Sequence, residues 1–244
     1  MVRTFLREAA LPFTRICLLL GISANAITSF AIVTAVVAAY LLAHRVAAPF
    51  LVGTILLQFW YYLDHVDGQI ARFHGQASLS GRFFDFIMHH LVHGAVFFGM
   101  GVYLFLRSNA DWQLALCGFS TISMMVFNLL YDARYKVYFE TVEKKGGDWS
   151  IVTSAITGES TNKSPSIAKR LYSLLHKTHE IHVVMNILTA TAIWTAFSGS
   201  FFWRDCVFYF YGFGPVILLF AKLLSIIRGR SIDSEFGKKW KRLE

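Results

Sequence analysis

Apolar runs of membrane-spanning length follow one another along this chain, and they restrict its fold more than any other feature. A helix that crosses a hydrocarbon core needs ~20 predominantly apolar residues. About six such stretches occur, at roughly 24–43, 48–64, 83–106, 112–130, 182–197 and 203–227. In hydrocarbon every backbone N–H and C=O must find its partner within the protein, and for isolated runs of this length only the helix achieves that. Charged residues make up 16% of the 244, against about a quarter in a soluble domain. The expected fold class is an all-α integral membrane protein with six transmembrane helices, built as one domain over 1–244.

The segments outside the spans are read from their polarity. Residues 1–15, with Arg3, Glu8 and Arg15 among short apolar runs, lack the unbroken apolar core of a removable signal, and residues 1–22 are read together. They are expected to form an amphipathic interfacial helix with Phe5, Leu6, Leu11 and Phe13 toward lipid. A six-span core then covers 23–228 with a cytoplasmic loop at 131–180, and 229–244 forms a basic cytoplasmic tail. Within that segment, 143–165 is rich in Gly, Ser, Thr and Lys and reads as a surface loop. Residues 166–185 carry the pattern of an amphipathic surface helix leading into the fifth span.

Six spans leave both termini on one side. Of the 23 Lys and Arg residues, Arg45, Arg107 and Arg204 fall on the opposite side, Lys222 lies within the sixth span and all the others fall on the side of the termini, which assigns that side to the cytoplasm. A bacterial inner membrane is favoured over endoplasmic reticulum. The net charge of +8 then reflects orientation and attraction to anionic headgroups, and no nucleic-acid partner is expected. Cys17, Cys117 and Cys206 have no metal-type spacing and read as small buried hydrophobes.

Chemistry concentrates between the second and third spans. The sequence there places Asp64, Asp67, Gly68, Ala71 and Arg72, then, after eight residues, Gly81, Asp85 and His89. Ionisable groups at membrane depth are costly and mark function by default. Asp64 and Asp67 share one helix face, and Asp85 and His89 share another. Three carboxylates converging at low dielectric repel unless cations join them, and hard divalent ions suit oxygen ligands. Such ions would bind a substrate diphosphate. Gly68, Ala71 and Gly81 are small enough for a bulky ligand to approach the backbone, and Arg72 supplies a fixed positive charge.

This string resembles the motif of the CDP-alcohol phosphotransferases, D-x-x-D-G-x-x-A-R-x8-G-x-x-x-D-x-x-x-D, at every position but the last, where His89 stands. A weaker similarity lies in Gly21-Ile-Ser-Ala-Asn25-Ala-Ile-Thr28, which resembles the family's G-[IL]-T-P-N-x-x-T. The resemblance implies six spans, a leading amphipathic segment and metal-dependent transfer of a phospho-alcohol group from a CDP-linked donor to an alcohol acceptor, with CMP released. It implies Asp64, Asp67, Asp85 and His89 as ligands of two ions, Mg²⁺ or Mn²⁺, and Asn25, Gly68, Ala71, Arg72, Gly81 and, more weakly, Ser78 as contacts of the donor. CDP-diacylglycerol is the favoured donor, membrane lipids are the surroundings, and a homodimer follows by analogy.

At His89 two readings remain open. The imidazole serves as the base on the acceptor hydroxyl, for which its titration range is suited, or loss of the fourth acid leaves an inactive relative that binds lipid or nucleotide. Beyond the motif, Arg134 and Lys136 are candidates for an anion or acceptor pocket, though two residues apart they cannot share a helix face. His93, one turn beyond His89, reads first as a hydrogen-bonded interhelical histidine. Phe59, Trp60, Tyr61 and Tyr62 read first as packing or lipid-facing aromatics.

Overall fold

The structure is a computed structural model that describes residues 2–75, 79–147, 149–151, 167–229 and 231–242. Nine helices are described: α1 (Val2–Leu19), α2 (Ala24–Leu42), α3 (Ala47–Phe73), α4 (Leu79–Ser108), α5 (Asp111–Lys145), α6 (Ile167–Thr178), α7 (Ile181–Ser198), α8 (Phe202–Gly229) and α9 (Ser231–Lys239). Two three-residue strands, β1 (Trp149–Ile151) and β2 (Trp240–Arg242), pair antiparallel with Trp149 opposite Arg242.

Five of these helices, α2, α4, α5, α7 and α8, are long and apolar enough to cross a membrane. The remaining expected span falls on α3. At 27 residues it is ~40 Å long and sufficient in length. Its second half, however, carries Gln58, Tyr61, Tyr62, Asp64 and Asp67, which dilute its apolar character.

The chain turns from α1 into α2 through Gly21, whose φ of +68° suits a residue without a Cβ. Ser23 caps α2, its hydroxyl accepting from the N–H of Ala26 at 3.2 Å. Helix α2 is a wedge. Its small buried residues Ala31, Ala35, Ala38 and Ala39 let α3 pack on one side and α4 on the other. A Cβ on Gly53 would lie 3.0 Å from the carbonyl oxygen of Ala38, and one on Gly99 would overlap the carbonyl of Ala39. Close backbone approach through small residues is how membrane helices gain packing energy without a hydrophobic driving force.

The two ends of the bundle differ. At the end away from the Asp motif, Arg204 is fully buried and donates to the carbonyls of Leu42 and His44 at 2.8 and 2.5 Å. Its guanidinium lies 4.0 Å from the Phe50 ring centroid and 3.8 Å from that of Tyr103. Arg45 reaches the carbonyl of Leu106, and Arg107 pairs with Asp205. The three basic residues assigned to the far side thus gather at one end.

The motif end differs from the sequence reading in four respects. First, α5 continues as helix to Lys145, so 131–180 is not one loop. Second, the surface helix stops at Thr178 and α7 begins at Ile181, because the chain turns extended at Glu180. Third, the basic tail is not free: α9 and β2 fold back on α5 and β1, with Phe236 against Tyr138 and Trp149, and Trp240 against Phe139. Apolar aromatics spaced among the charges give that tail something to bury. Fourth, Phe13 packs on Tyr62 instead of facing lipid, and α1 lies along α3 with Thr14 donating to Gln69 and Gln69 to the carbonyl of Arg7. Among the cysteines, Cys17 and Cys117 are buried as expected, whereas Cys206 is exposed.

The α2–α4 contact yields a stability prediction. Gly99→Val should destabilise the folded protein by about 1–3 kcal/mol through overpacking, because a backbone carbonyl cannot yield as a side chain can. Thermal unfolding in detergent should show a lowered Tm, and an unchanged Tm would contradict this contact.

Candidate active site

Three side chains from two helices meet near the motif end. Asp64 on α3 and Asp85 and His89 on α4 each offer a ligand atom, all within 4.8 Å of one another. His89 Nε2 lies 3.2 Å from Asp64 Oδ1 and 3.5 Å from Asp85 Oδ1. The contact across the two helices sets this arrangement. Asp85 and His89 are neighbours on one turn of α4, whereas Asp64 arrives from a helix that α2 largely holds apart from α4. Trp60, one turn before Asp64 and buried, presents its ring edge-on to the His89 imidazole at 5.7 Å. The aromatic run before the motif thus supplies one residue that fixes the site.

Asp67 is buried and lies outside that cluster. Its Oδ2 accepts from the Thr28 hydroxyl at 2.7 Å, an interaction between α3 and the first turn of α2. Buried carboxylates require such partners. Thr28 was not singled out as a site residue from sequence, yet it ends the weaker motif at 21–28, and that position was the available signal. Asn25 begins the same turn and is exposed, its carbonyl accepting from Ser29.

The remaining motif residues lie on the last turns of α3 and at the start of α4. Arg72 is exposed, and its guanidinium lies against Gly68, where a Cβ would sit 3.2 Å from Nη1. Ala71 is half-buried, as is Gly81 at the start of α4. Ser78 lies outside the described residues. The two basic candidates beyond the motif do not join the cluster. Arg134 is held by Glu235 of α9 at 3.1 Å and by the rings of Tyr131 and Tyr135 at 4.8 and 4.9 Å. Lys136 is 80% exposed and faces Glu140 on the opposite side of α5.

Two further histidines on α4 have their own partners. His90 faces Asp132 at 3.4 Å, and His93 Nδ1 accepts from the amide of Asn128 at 2.6 Å. The interhelical reading of His93 therefore holds. His65 bonds through Nδ1 to the carbonyl of Tyr61, within its own helix.

Two carboxylates and an imidazole form a donor set suited to a divalent cation with oxygen and nitrogen ligands. Asp64 and Asp85 offer hard oxygens, and His89 Nε2 offers either a softer ligand nitrogen or, left unligated, a proton acceptor. Divalent binding gives the geometric prediction for this cluster. Asp64→Asn should weaken Mn²⁺ binding at least about tenfold, read by electron paramagnetic resonance. Lys136→Ala should leave it unchanged, and equal affinity in all three proteins would contradict the cluster as the site.

With this geometry in hand, likeness to known proteins becomes informative. The sequence model of the CDP-alcohol phosphatidyltransferase family matches residues 21–195. No curated protein sequence matches the chain. Among solved structures, phosphatidylinositol phosphate synthase of Mycobacterium tuberculosis with CDP-DAG bound is similar, with a TM-score of 0.60 and 15% identity, covering 90% of this chain and 94% of that one. The same synthase in apo form gives a TM-score of 0.52 and 16% identity, covering 91% and 97%. At such identity the likeness is one of fold.

Proposed function

The chain belongs to the CDP-alcohol phosphatidyltransferase family, and we propose that its donor is CDP-diacylglycerol and that its chemistry is centred on Asp64, Asp85 and His89. It is accordingly an integral membrane transferase of phospholipid synthesis, passing a phosphatidyl group from a CDP-linked donor. The observation that carries the site assignment is the His89 imidazole set between two carboxylates from different helices.

In this reading the acceptor oxygen attacks the donor phosphorus distal to cytidine, and the bond from that phosphorus to the bridging oxygen breaks. CMP leaves with the electron pair. His89 Nε2 takes the acceptor's hydroxyl proton, and the Asp64 and Asp85 oxygens facing it accept from the new N–H. Asp64, Asp67 and Asp85 would hold Mg²⁺ or Mn²⁺, which when bound offsets the diphosphate charge and polarises the reacting phosphorus. Arg72, with its guanidinium over Gly68, adds a cation where the diphosphate would lie. Asn25, Ala71 and Gly81 border the donor side, and Ser78 remains a weaker candidate. Support for a CDP-lipid donor comes from the synthase of similar fold, whose structure holds CDP-DAG.

The distribution of Lys and Arg supports an orientation with both termini and the site on the cytoplasmic side; six spans and a bacterial inner membrane belong to the same reading. The whole chain is read as one domain.

The test is CMP release by purified protein from CDP-diacylglycerol with Mg²⁺ or Mn²⁺ and an alcohol. His89→Ala should lower kcat by roughly 10²–10⁴-fold, the usual contribution of a positioned base. Unchanged kcat in His89→Ala removes His89 as base. No CMP from any CDP-linked donor, with the wild type or with His89→Asp, overturns catalysis and favours a lipid- or nucleotide-binding role.

A further inference from the structure

Helix α6 carries an apolar face that the rest of the protein leaves uncovered. It has 12 residues, and an isolated helix shorter than ~12–15 residues is marginal in water. Its stability must therefore come from packing, yet none of its residues is buried. Ile167, Leu171 and Leu174 recur at intervals of four and three, so they form one stripe, and they are 85%, 64% and 61% exposed.

The opposite flank does pack. Tyr172 stacks on His176, and the His176 ring meets those of Phe127 and Tyr131 on α5 at 5.5 and 5.7 Å. The Tyr211 hydroxyl of α8 donates to the carbonyl of Thr178 at 3.1 Å. These contacts set the rotation of α6 and turn its apolar stripe outward. Only His179 and Glu180 separate α6 from α7, which is long and apolar enough to cross a membrane. At ~3.3–3.6 Å per residue, that link holds the end of α6 within about 11 Å of the start of α7. With 18 residues α7 is ~27 Å long, so crossing a ~30 Å core uses all of it and sets Ile181 at the headgroup boundary.

The charges on α6 are of one sign. Its sequence contains Lys169, Arg170 and Lys177 and no Asp or Glu. Arg170 follows Ile167 by three residues and Lys177 follows Leu174 by three, which sets both exposed cations along one border of the stripe. An apolar stripe edged by Lys and Arg suits a helix lying in the headgroup plane, its apolar side chains in the acyl boundary and its cations among phosphates. A protein partner would need an apolar groove with an acidic rim. The bilayer beside α7 already offers an apolar layer, and its anionic lipids offer the negative charge.

We propose that α6 docks on the bilayer as an anionic-lipid-binding helix. Ile167, Leu171 and Leu174 enter the acyl boundary, and Arg170 and Lys177 pair with the phosphates of anionic lipids. This surface is separate from Asp64, Asp85 and His89 and does not depend on the transfer reading. The lipid gives α6 the apolar cover that α5 and α8 do not supply.

The experiment uses the full-length protein in nanodiscs of phosphatidylcholine alone or of phosphatidylcholine mixed equally with phosphatidylglycerol. Backbone hydrogen exchange over 167–178 is followed by mass spectrometry, with α7 as the reference for folding. Exchange should be at least about tenfold slower in the mixed discs, the order expected of two cations at an anionic surface, and high salt should remove the difference. Arg170→Glu combined with Lys177→Glu should abolish the dependence on phosphatidylglycerol. Leu171→Ser combined with Leu174→Ser should speed exchange in both discs, and both double variants should leave α7 protected as in the wild type. Equal wild-type exchange in the two discs overturns the inference, and this comparison needs no substitution, so misfolding of a variant does not remove the test. Protection of 167–178 that both double variants leave intact also overturns it, in favour of cover by a protein partner or a second copy.

Discussion

The contact between His89 and the two carboxylates is the constraint around which the motif end is arranged. Carboxylates at membrane depth repel one another and lose hydration, so each must find a proton donor or a cation. Asp64 and Asp85 find the imidazole of His89, and Asp67 finds the hydroxyl of Thr28. These partnerships fix the relative placement of α2, α3 and α4 at one end. The alanines of α2 and the glycines facing them fix it along the rest of their length.

The opposite end supplies rigidity. Arg204 binds the carbonyls that end α2, where the helix dipole is negative, and three aromatic rings enclose its guanidinium. A buried cation of this kind is tolerated because carbonyl oxygens and π faces replace some of its water. Tyr103 on α4 is part of that cage and donates to Asp205 on α8. The anchor thus ties α2, α4 and α8 together, while the motif end, with an exposed Asp85 and Arg72, stays open to large substrates.

Much of this was legible in sequence because it depends on one element at a time. Apolar length announced the five helices long enough to span, and the spacing from Asp64 to His89 announced side chains that the fold brings together at Asp64, Asp85 and His89. What escaped depends on two elements meeting. Thr28 matters only because α2 starts beside Asp67, and Trp60 only because α4 brings His89 to it. The tail could not be read as folded, since its aromatics gain meaning only against Tyr138, Phe139 and Trp149. Arg134 carried the right charge for an anion pocket, but Glu235, a hundred residues away, holds it. At α3 the polar residues of the motif lower the apolar character by which a span is recognised, although the helix is long enough to be one.

The imidazole at position 89 alters the electrostatics of the centre in a definite direction. A carboxylate there would face Asp64 and Asp85 as a third acceptor, and with no cation bound the three would push α3 and α4 apart. An imidazole presents a nitrogen that donates to one carboxylate when protonated and accepts a proton when not. Its Nε2 lies close to both Asp64 and Asp85, and Trp60 bears on its ring, so the cluster keeps its shape through protein contacts alone. Preorganisation of this kind lowers the cost of assembling the site at the moment of reaction. With an imidazole in place of a fourth carboxylate, the cluster carries one negative charge fewer, and the nitrogen facing Asp64 and Asp85 can either donate or accept a proton.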